Sequence, residues 1–137
     1  GALVIDMLPP LSQTDFDHLL WASDLNLVRG EDSVIRALWA GKPLIGQVYT
    51  EHDNAHHAKL QAFLDVLDAP ASLRLAHQAW NGIDNDPLQD LATAAAGWKP
   101  WAAAVCEQLF RQRDLVTRLQ EFVALKYQDA FGRAEER

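Results

Sequence analysis

The sequence has only one cysteine, Cys106, among its 137 residues, so no disulfide can form within the chain. A chain without internal disulfides fits the reducing cytosol. The sequence also lacks any run of eighteen apolar residues and any basic segment that leads into a long apolar stretch. These absences argue against a membrane-spanning helix and a secretory signal. We therefore expect a soluble, cytoplasmic protein with no membrane partner.

Positive charge is scarce, because 12 Lys and Arg stand against 19 Asp and Glu, and the formal net charge is -7. No dense basic tract is present, which argues against nucleic acid as the main partner. Candidate metal ligands are also few. His52 and His56 are spaced for one helical face, but no carboxylate or cysteine completes a set, so neither metal nor cofactor is expected. Apolar residues, by contrast, make up 49% of the chain, enough for the core of one domain.

The segment from Leu25 to Ala40 organises the rest of the chain. Leu25 to Val28 reads as a short buried strand, Gly30 as a tight turn, and Asp32 or Ser33 as the first residue of a helix. A strand that passes through glycine into a helix leaves several free N–H groups at the edge of a sheet. Those groups and the helix dipole form an anion site.

Charged side chains at the same turn indicate the kind of ligand. Arg29 carries a guanidinium group suited to phosphate. Glu31 and Asp32 are carboxylates, which a site for phosphate alone would not favour. We expect Asp32 to cap the helix and Glu31 to lie outside it, free to reach a ligand. The combination predicts a ligand with a phosphate part and a hydroxyl-rich part, such as a sugar nucleotide.

Strands and helices alternate in the first part of the chain. We predict strands at Leu3 to Met7 and Leu44 to Tyr49, and a helix that begins with a capping box at Ser12 and ends near Ala22. This alternation predicts a parallel α/β sheet. The remainder reads as helices, at about residues 54–67, 71–80, 87–96 and 98–112 and after Asp114, with a loop at 81–87 and a polar tail at 132–137. Three strands are few for so many helices, so we expect part of a larger protein.

Residues 12–64 contain a long series of short motifs that together form a recognisable pattern. The residues of the pattern are Gln13, Phe16 to Trp21, Asp24 to Asn26, Val28 to Ser33, Arg36-Ala37, Trp39 to Gly41, Pro43, Tyr49, Ala55-His56 and Lys59-Leu60. With this series of motifs, rather than with any one of them, the segment resembles the C-terminal part of the bacterial protein-arginine rhamnosyltransferases that modify translation elongation factor P. The sequence departs from the family pattern at Leu27, at Thr50-Glu51 and at Gly46, where a tryptophan is usual.

The resemblance implies an α/β fold, the Rossmann-like C-terminal half of a GT-B glycosyltransferase, with a small parallel sheet flanked by many helices. In that fold the C-terminal domain binds the donor, here dTDP-β-L-rhamnose, and the N-terminal domain binds the acceptor. Residues 1–137 would be part of the donor domain, and the acceptor domain would be absent from this chain. The implied reaction is transfer of rhamnose, with inversion, to an arginine of elongation factor P.

The resemblance also assigns residues to the donor. Gln13 and Phe16 would contact the thymine, and Glu31 would face the sugar and take part in catalysis. The donor-binding set that it implies is Gln13, Phe16, Arg29, Gly30, Asp32, Ser33 and Tyr49, with no metal.

Other interpretations of the same residues remain open. Carboxylates in a first helical turn often only complement the helix dipole, a lone arginine is often in a surface ion pair, and Phe16 on an apolar face can be core. His18 and His77 are expected to be structural, and Cys106 to pack. At the level of function, the alternatives are a non-catalytic nucleotide- or phosphosugar-binding module and a helical interaction domain.

Overall fold

The computed structural model describes residues 3–84 and 90–132, which contain two strands and six helices. The elements are α1 Gln13–Ala22, β1 Asn26–Arg29, α2 Glu31–Trp39, β2 Leu44–Gln47, α3 Ala55–Val66, α4 Ala71–Trp80, α5 Leu91–Arg111 and α6 Leu115–Gly132. They divide into two compact units, residues 1–107 and 108–137. Of the described helices, none combines the length and apolar character needed to cross a lipid bilayer.

The predicted parallel pairing is confirmed for the central strand and the one after α2. β1 pairs with β2 in register from Asn26 opposite Leu44 to Arg29 opposite Gln47. The buried Asn26 fastens the start of β1, because its side chain donates to the Leu20 carbonyl oxygen at 3.1 Å and its N–H donates to Pro43 O at 2.9 Å. Both strands therefore end on the same side of the sheet, β1 directly before Gly30 and β2 two residues before Tyr49.

The strand predicted at Leu3 to Met7 is wrong. The segment forms no strand, and its apolar side chains lie open, with Leu3 85% and Met7 90% exposed. A short apolar run specifies a strand only where another strand supplies its hydrogen bonds, and β1 and β2 pair only with each other among the described residues. The sheet thus has two strands here rather than three.

Side chains of α4 and of its C-cap residue, Asn81, bond to the edge of β2 that β1 leaves free. His77 Nε2 accepts from the Gly46 N–H at 3.1 Å, while Nδ1 lies 3.0 Å from the Leu73 carbonyl oxygen, which selects the tautomer protonated at Nδ1. Asn81 donates to Gly46 O at 2.9 Å and accepts from the Val48 N–H at 2.8 Å. Two side chains thereby make the bonds that a third strand would make. The structural role predicted for His77 is confirmed.

The core of the first unit lies between the sheet and helices α3, α4 and α5. Its buried members are Ile45, Leu60, Leu64, Ala69, Leu73, Ala76, Ala95 and Trp98. Trp98 Nε1 donates to Ser72 Oγ at 3.0 Å, and Trp101 Nε1 donates to Leu67 O at 2.9 Å. These contacts hold α5 against the two preceding helices.

The predicted break at Gly97 is also wrong, because α5 continues through Gly97 and Pro100. Tryptophan packing on one face of α5 outweighs the low helix propensity of these two residues. The predicted start of a helix near residue 87 lies outside the described residues, as does the tail beyond Gly132.

The other helix boundaries follow their predicted signals. Ser12 caps α1 by accepting from the Asp15 N–H at 3.2 Å. At α3, Asp53 rather than Asn54 supplies the side-chain bond, accepting from the Ala55 N–H at 3.1 Å. In the second unit Asp114 accepts from the Thr117 N–H at 3.0 Å, as a residue that caps α6 should.

We predict that His77 makes the stability of the chain dependent on pH. Burial lowers the pKa of the His77 imidazole below its ordinary value near 6.5. The unfolded chain therefore binds the proton more readily, so this stabilisation is present above about pH 6.5 and is lost as pH falls toward the folded pKa. Urea unfolding between pH 7.5 and 5 should show a decline of up to about 1.4 kcal/mol per pH unit from this group.

His77→Gln should remove that component of the decline and lower stability at pH 7.5 as well. His18→Gln, at an exposed histidine of α1, is the matched control and should keep it. Identical pH profiles for the wild-type and His77→Gln chains would contradict this prediction.

Candidate functional site

The candidate site is centred on the first turn of α2, where β1 ends. The helix begins at Glu31, one or two residues earlier than the predicted start at Asp32 or Ser33, and Gly30 is its N-cap with φ 90° and ψ 151°, without a side-chain hydrogen bond. The first intrahelical bond runs from the Val34 N–H to Gly30 O at 3.1 Å. The N–H groups of residues 31–33 thus precede the helical ladder and can bind an anion.

Asp32 does not cap the helix, so that part of the prediction is wrong. Its Oδ2 atom instead accepts from Arg36 Nε at 2.9 Å, one turn along the helix. Arg36 Nη1 donates to both carboxylate oxygens of Asp17 on α1, each at 2.9 Å. The hydrogen bonds that Arg36 donates, first to Asp17 and then to Asp32, raise the pKa of Arg36, which stays charged and joins α1 to α2.

Four of the predicted residues come together in a groove between α1 and α2, here called the α1–α2 groove. Its volume is about 340 Å³, and it is lined by Leu11, Ser12, Gln13, Phe16, Asp32 and Ser33. The Gln13 carboxamide oxygen accepts from Arg36 Nη2 at 2.7 Å, which fixes one wall of the groove. Phe16 is only half-buried, so its ring belongs to the groove and is not simply core.

Three other predicted residues line a separate cavity on the opposite side of the first turn of α2, here called the α2–α3 cleft. Its volume is about 260 Å³, and its lining is mostly apolar. The lining residues are Gly30, Glu31, Val34, Gly46, Gln47, Val48, Tyr49, Glu51, His56, Lys59, Leu60 and Phe63. Apart from Arg29, the donor-binding set predicted from the sequence is thus split between two cavities that share one helix terminus.

Arg29 and Tyr49 meet at the entrance to the α2–α3 cleft. The Arg29 guanidinium lies 4.8 Å from the centre of the Tyr49 ring, a cation–π contact. A Cβ atom built on Gly30 would lie 3.4 Å from Tyr49 Oη, so the turn and the phenol are neighbours. Arg29 is exposed and lines neither cavity, yet the contact holds its charge beside the first turn of α2.

The structure adds polar residues of the cleft that the sequence predictions missed. Lys59 on α3 forms an ion pair with Glu51, and the hydrogen bond that Lys59 donates to the Glu51 carboxylate raises the pKa of Lys59. His56, 4% exposed, accepts from the Glu51 N–H through Nδ1 at 3.1 Å. The signal that could have found them is their place just after β2, because ligands bind beyond the carboxyl ends of parallel strands.

His56 is thus held by the backbone of residue 51 and packs edge-on against His57, with ring centres 4.2 Å apart. Within residues 3–84 and 90–132, His, Cys, Asp and Glu side chains nowhere assemble in threes as metal ligands would.

Comparison with known proteins places these residues in a family. The profile described as "Elongation-Factor P (EF-P) rhamnosyltransferase EarP" matches residues 1–124. The protein-arginine rhamnosyltransferase of Pseudomonas putida is 42% identical over 135 residues, which cover 89% of this chain and 34% of that protein. The protein of the same name from Pseudomonas aeruginosa is 38% identical over 131 residues, covering 90% and 35%. The chain spans about a third of the length of these relatives.

A solved structure agrees with the sequence comparison. It comes from work on the structural basis for EarP-mediated arginine glycosylation of translation elongation factor EF-P. It is 35% identical in sequence, with a TM-score of 0.65, and the match covers 85% of this chain and 39% of that one. The small parallel sheet and its helices are therefore the α/β fold of that protein's corresponding part.

We predict that the turn at residue 30 requires glycine. With φ at 90° and ψ at 151°, Gly30 occupies a region that L-residues avoid, so Gly30→Ala should lower the free energy of unfolding by about 3 kcal/mol. Gly82→Ala is the control, because Gly82 also has a positive φ, 68°, but has open space around its Cβ position. It should cost about 1 kcal/mol. Urea titrations of both variants make the comparison, and equal losses would mean that residue 30 carries no special strain.

Proposed function

The chain belongs to the EarP family of elongation factor P rhamnosyltransferases, and we propose that it is the donor-binding part of such an enzyme. The reaction would be transfer of rhamnose from dTDP-β-L-rhamnose to an arginine of elongation factor P, with inversion at the sugar. The observation that carries the proposal is the uncapped first turn of α2 with a cavity on each side. A nucleotide sugar has three matching parts: a base, a diphosphate and a sugar.

In this arrangement the diphosphate binds to the N–H groups of residues 31–33, and the Arg29 guanidinium adds positive charge beside them. The thymine occupies the α1–α2 groove, where Phe16 offers a ring for stacking and Gln13 an amide for hydrogen bonding. The rhamnose then extends into the α2–α3 cleft, past Glu31 and Tyr49. The predicted residues are thus distributed over all three parts of the ligand within this scheme.

The roles proposed for these residues in sugar transfer depend on where charge develops during the reaction. As the bond between C1 of the sugar and the diphosphate oxygen breaks, negative charge on the departing diphosphate grows, and the N–H groups and Arg29 stabilise it. Glu31 lies on the sugar side of the turn, where a carboxylate stabilises developing positive charge at C1. The arginine nitrogen forms its new bond to C1 from the opposite face and gives up its proton to a base. No divalent metal is required for these steps.

The rest of the proposed enzyme follows from the GT-B fold implied by the resemblance. An N-terminal domain would bind the acceptor arginine and supply the base, and the cleft between the two domains would hold the reacting atoms. Because the acceptor is a translation factor, the enzyme would act in the cytoplasm. The protein partner would be elongation factor P, with no nucleic acid or membrane involved.

We predict that the 137-residue chain binds dTDP weakly and transfers nothing by itself, because a two-domain site needs both walls. Titration calorimetry should detect dTDP binding that is equal with and without EDTA. Mass spectrometry of elongation factor P, incubated with the chain and dTDP-rhamnose, should show no rhamnose-sized increase. Arg29→Gln should weaken dTDP binding about tenfold, or 1.4 kcal/mol, whereas Arg118→Gln, at an exposed arginine of α6, should not.

The outcomes separate the candidate functions. Absence of dTDP binding would leave the turn at α2 as a structural feature only. Binding by the chain, combined with no transfer by the complete enzyme, would favour the non-catalytic binding module. A loss of about tenfold with EDTA would reveal a metal site in the enzyme.

Glu31→Gln and Asp32→Asn test the division of labour at the first turn of α2. Each removes one negative charge from the same turn, so their effects on the helix dipole are matched. In the complete enzyme, Glu31→Gln should lower the single-turnover rate about a hundredfold, or roughly 2.7 kcal/mol, with little change in dTDP affinity. Asp32→Asn, which breaks the pair with Arg36, should act mainly on dTDP affinity. If Glu31→Gln loses dTDP binding while bound donor still reacts at the normal rate, Glu31 is not catalytic.

A further inference from the structure

The α2–α3 cleft has a character that binding of phosphate and hydroxyl groups does not explain. Its lining includes the exposed charged residues Glu31, Glu51 and Lys59, but most of its surface is apolar. The apolar part consists mainly of Val34 from α2 and of Leu60 and Phe63 from α3, here called the apolar floor. The hydroxyl groups of a sugar find no hydrogen-bonding partner on such a surface, so burying them there is unfavourable.

The α3 side chains of the apolar floor are packed against the core. Leu60 is 2% exposed and belongs to the core, and Phe63 packs against that core while remaining half-buried. Gly46 of β2 has no side chain, and a Cβ atom there would lie only 3.3 Å from Val34 Cγ2. Glycine at this position therefore allows Val34 to lie against the strand backbone. Its place in the lining of the cleft makes Val34 accessible to a ligand.

The floor is also close to the anion site. Gly30 and Glu31, at the first turn of α2, line the same cavity as Val34, and Val34 is one helical turn from Gly30. A ligand whose diphosphate is bound at this turn can thus place the group attached to the phosphate over the floor.

We propose, on the basis of the function proposed above, that the apolar floor receives the methyl group of a 6-deoxyhexose and selects the deoxy sugar. Rhamnose carries a methyl group at C5 where its parent hexose, mannose, carries CH₂OH. The methyl group buries apolar surface against Val34 and Phe63. The extra hydroxyl of the parent sugar, placed over the side chains of Val34, Leu60 and Phe63, would have no hydrogen-bonding partner among them, which is unfavourable. The floor therefore acts on specificity, whereas Glu31 acts on the reacting carbon.

The test is a binding comparison with two donors that differ only by that hydroxyl, dTDP-β-L-rhamnose and dTDP-β-L-mannose, with dTDP as the reference ligand. The 137-residue chain should bind the rhamnose donor at least tenfold more tightly than the mannose donor. Val34→Thr, which keeps the shape of the side chain and supplies a hydroxyl partner, should reduce this preference to about threefold or less. Phe63→Leu, which removes part of the floor, should reduce it as well.

Val66→Thr is the matched control, because Val66 is on α3 but 77% exposed. It should leave the preference unchanged, and circular dichroism should verify that all three variants are folded. Equal affinities of the wild-type chain for the two donors would overturn the inference, as would a preference that survives both Val34→Thr and Phe63→Leu. An equal loss of affinity for dTDP itself in these variants would put the base, rather than the sugar, in the cleft.

These results are distinguishable from failure of the proposed function. If the proposed donor-binding function is wrong, the wild-type chain will bind neither dTDP nor either of the two sugar donors. If dTDP binds and only the sugar preference is absent, the donor-binding role stands and the assignment of the apolar floor is wrong.

Discussion

The pairing of β2 with side chains of α4 is the interaction on which the site depends. A sheet of two parallel strands has two open edges, and unpaired backbone groups inside a protein are costly. His77 and Asn81 provide both a donor and acceptors for Gly46 and Val48, so β2 is fixed on both sides. Because β2 leads directly to Tyr49 and Glu51, which line the α2–α3 cleft, this pairing also fixes the position of that side of the cleft. The pairing of β1 with β2, with Arg29 opposite Gln47, then fixes the position of the turn at Gly30.

Because β2 is fixed on both sides, a sheet of only two strands can position a site with two cavities. The first turn of α2 separates the α1–α2 groove from the α2–α3 cleft, and its N–H groups lie between them. The Asp17–Arg36–Asp32 bridge holds α1 on one side, and the Glu51–Lys59 pair lies on the other. A ligand that spans the turn would thus contact two helices whose positions are set independently. The proposed donor has base and sugar at opposite ends of a diphosphate, which is the shape that this arrangement suits.

Local signals in the sequence predicted most of the elements but not all of their limits. Ser12, Asp53 and Asp114 mark helix starts with side chains that bond to nearby N–H groups, and such signals depend only on neighbouring residues. The errors arose where distant contacts decide the outcome. Leu3 to Met7 lacks a partner strand, and α5 continues through Gly97 because the tryptophans around it pack on α3 and α4. The cap assigned to Asp32 failed because Arg36, one turn away, competes for the same carboxylate. The same limit applies to the site: the turn at residues 29–33 was recognisable from the sequence, whereas the α2–α3 cleft depends on the approach of α3 to β2.

The way in which α4 covers β2 also determines where the sheet can grow. A strand can be added only where N–H and C=O groups still point outward, and on the β2 side both backbone groups of Gly46 and the N–H of Val48 already bond to His77 and Asn81. Any further strand of a larger domain must therefore add next to β1. The β2 edge of the sheet is covered, and only the β1 edge can pair with another strand, so β2 is an edge strand of any larger sheet.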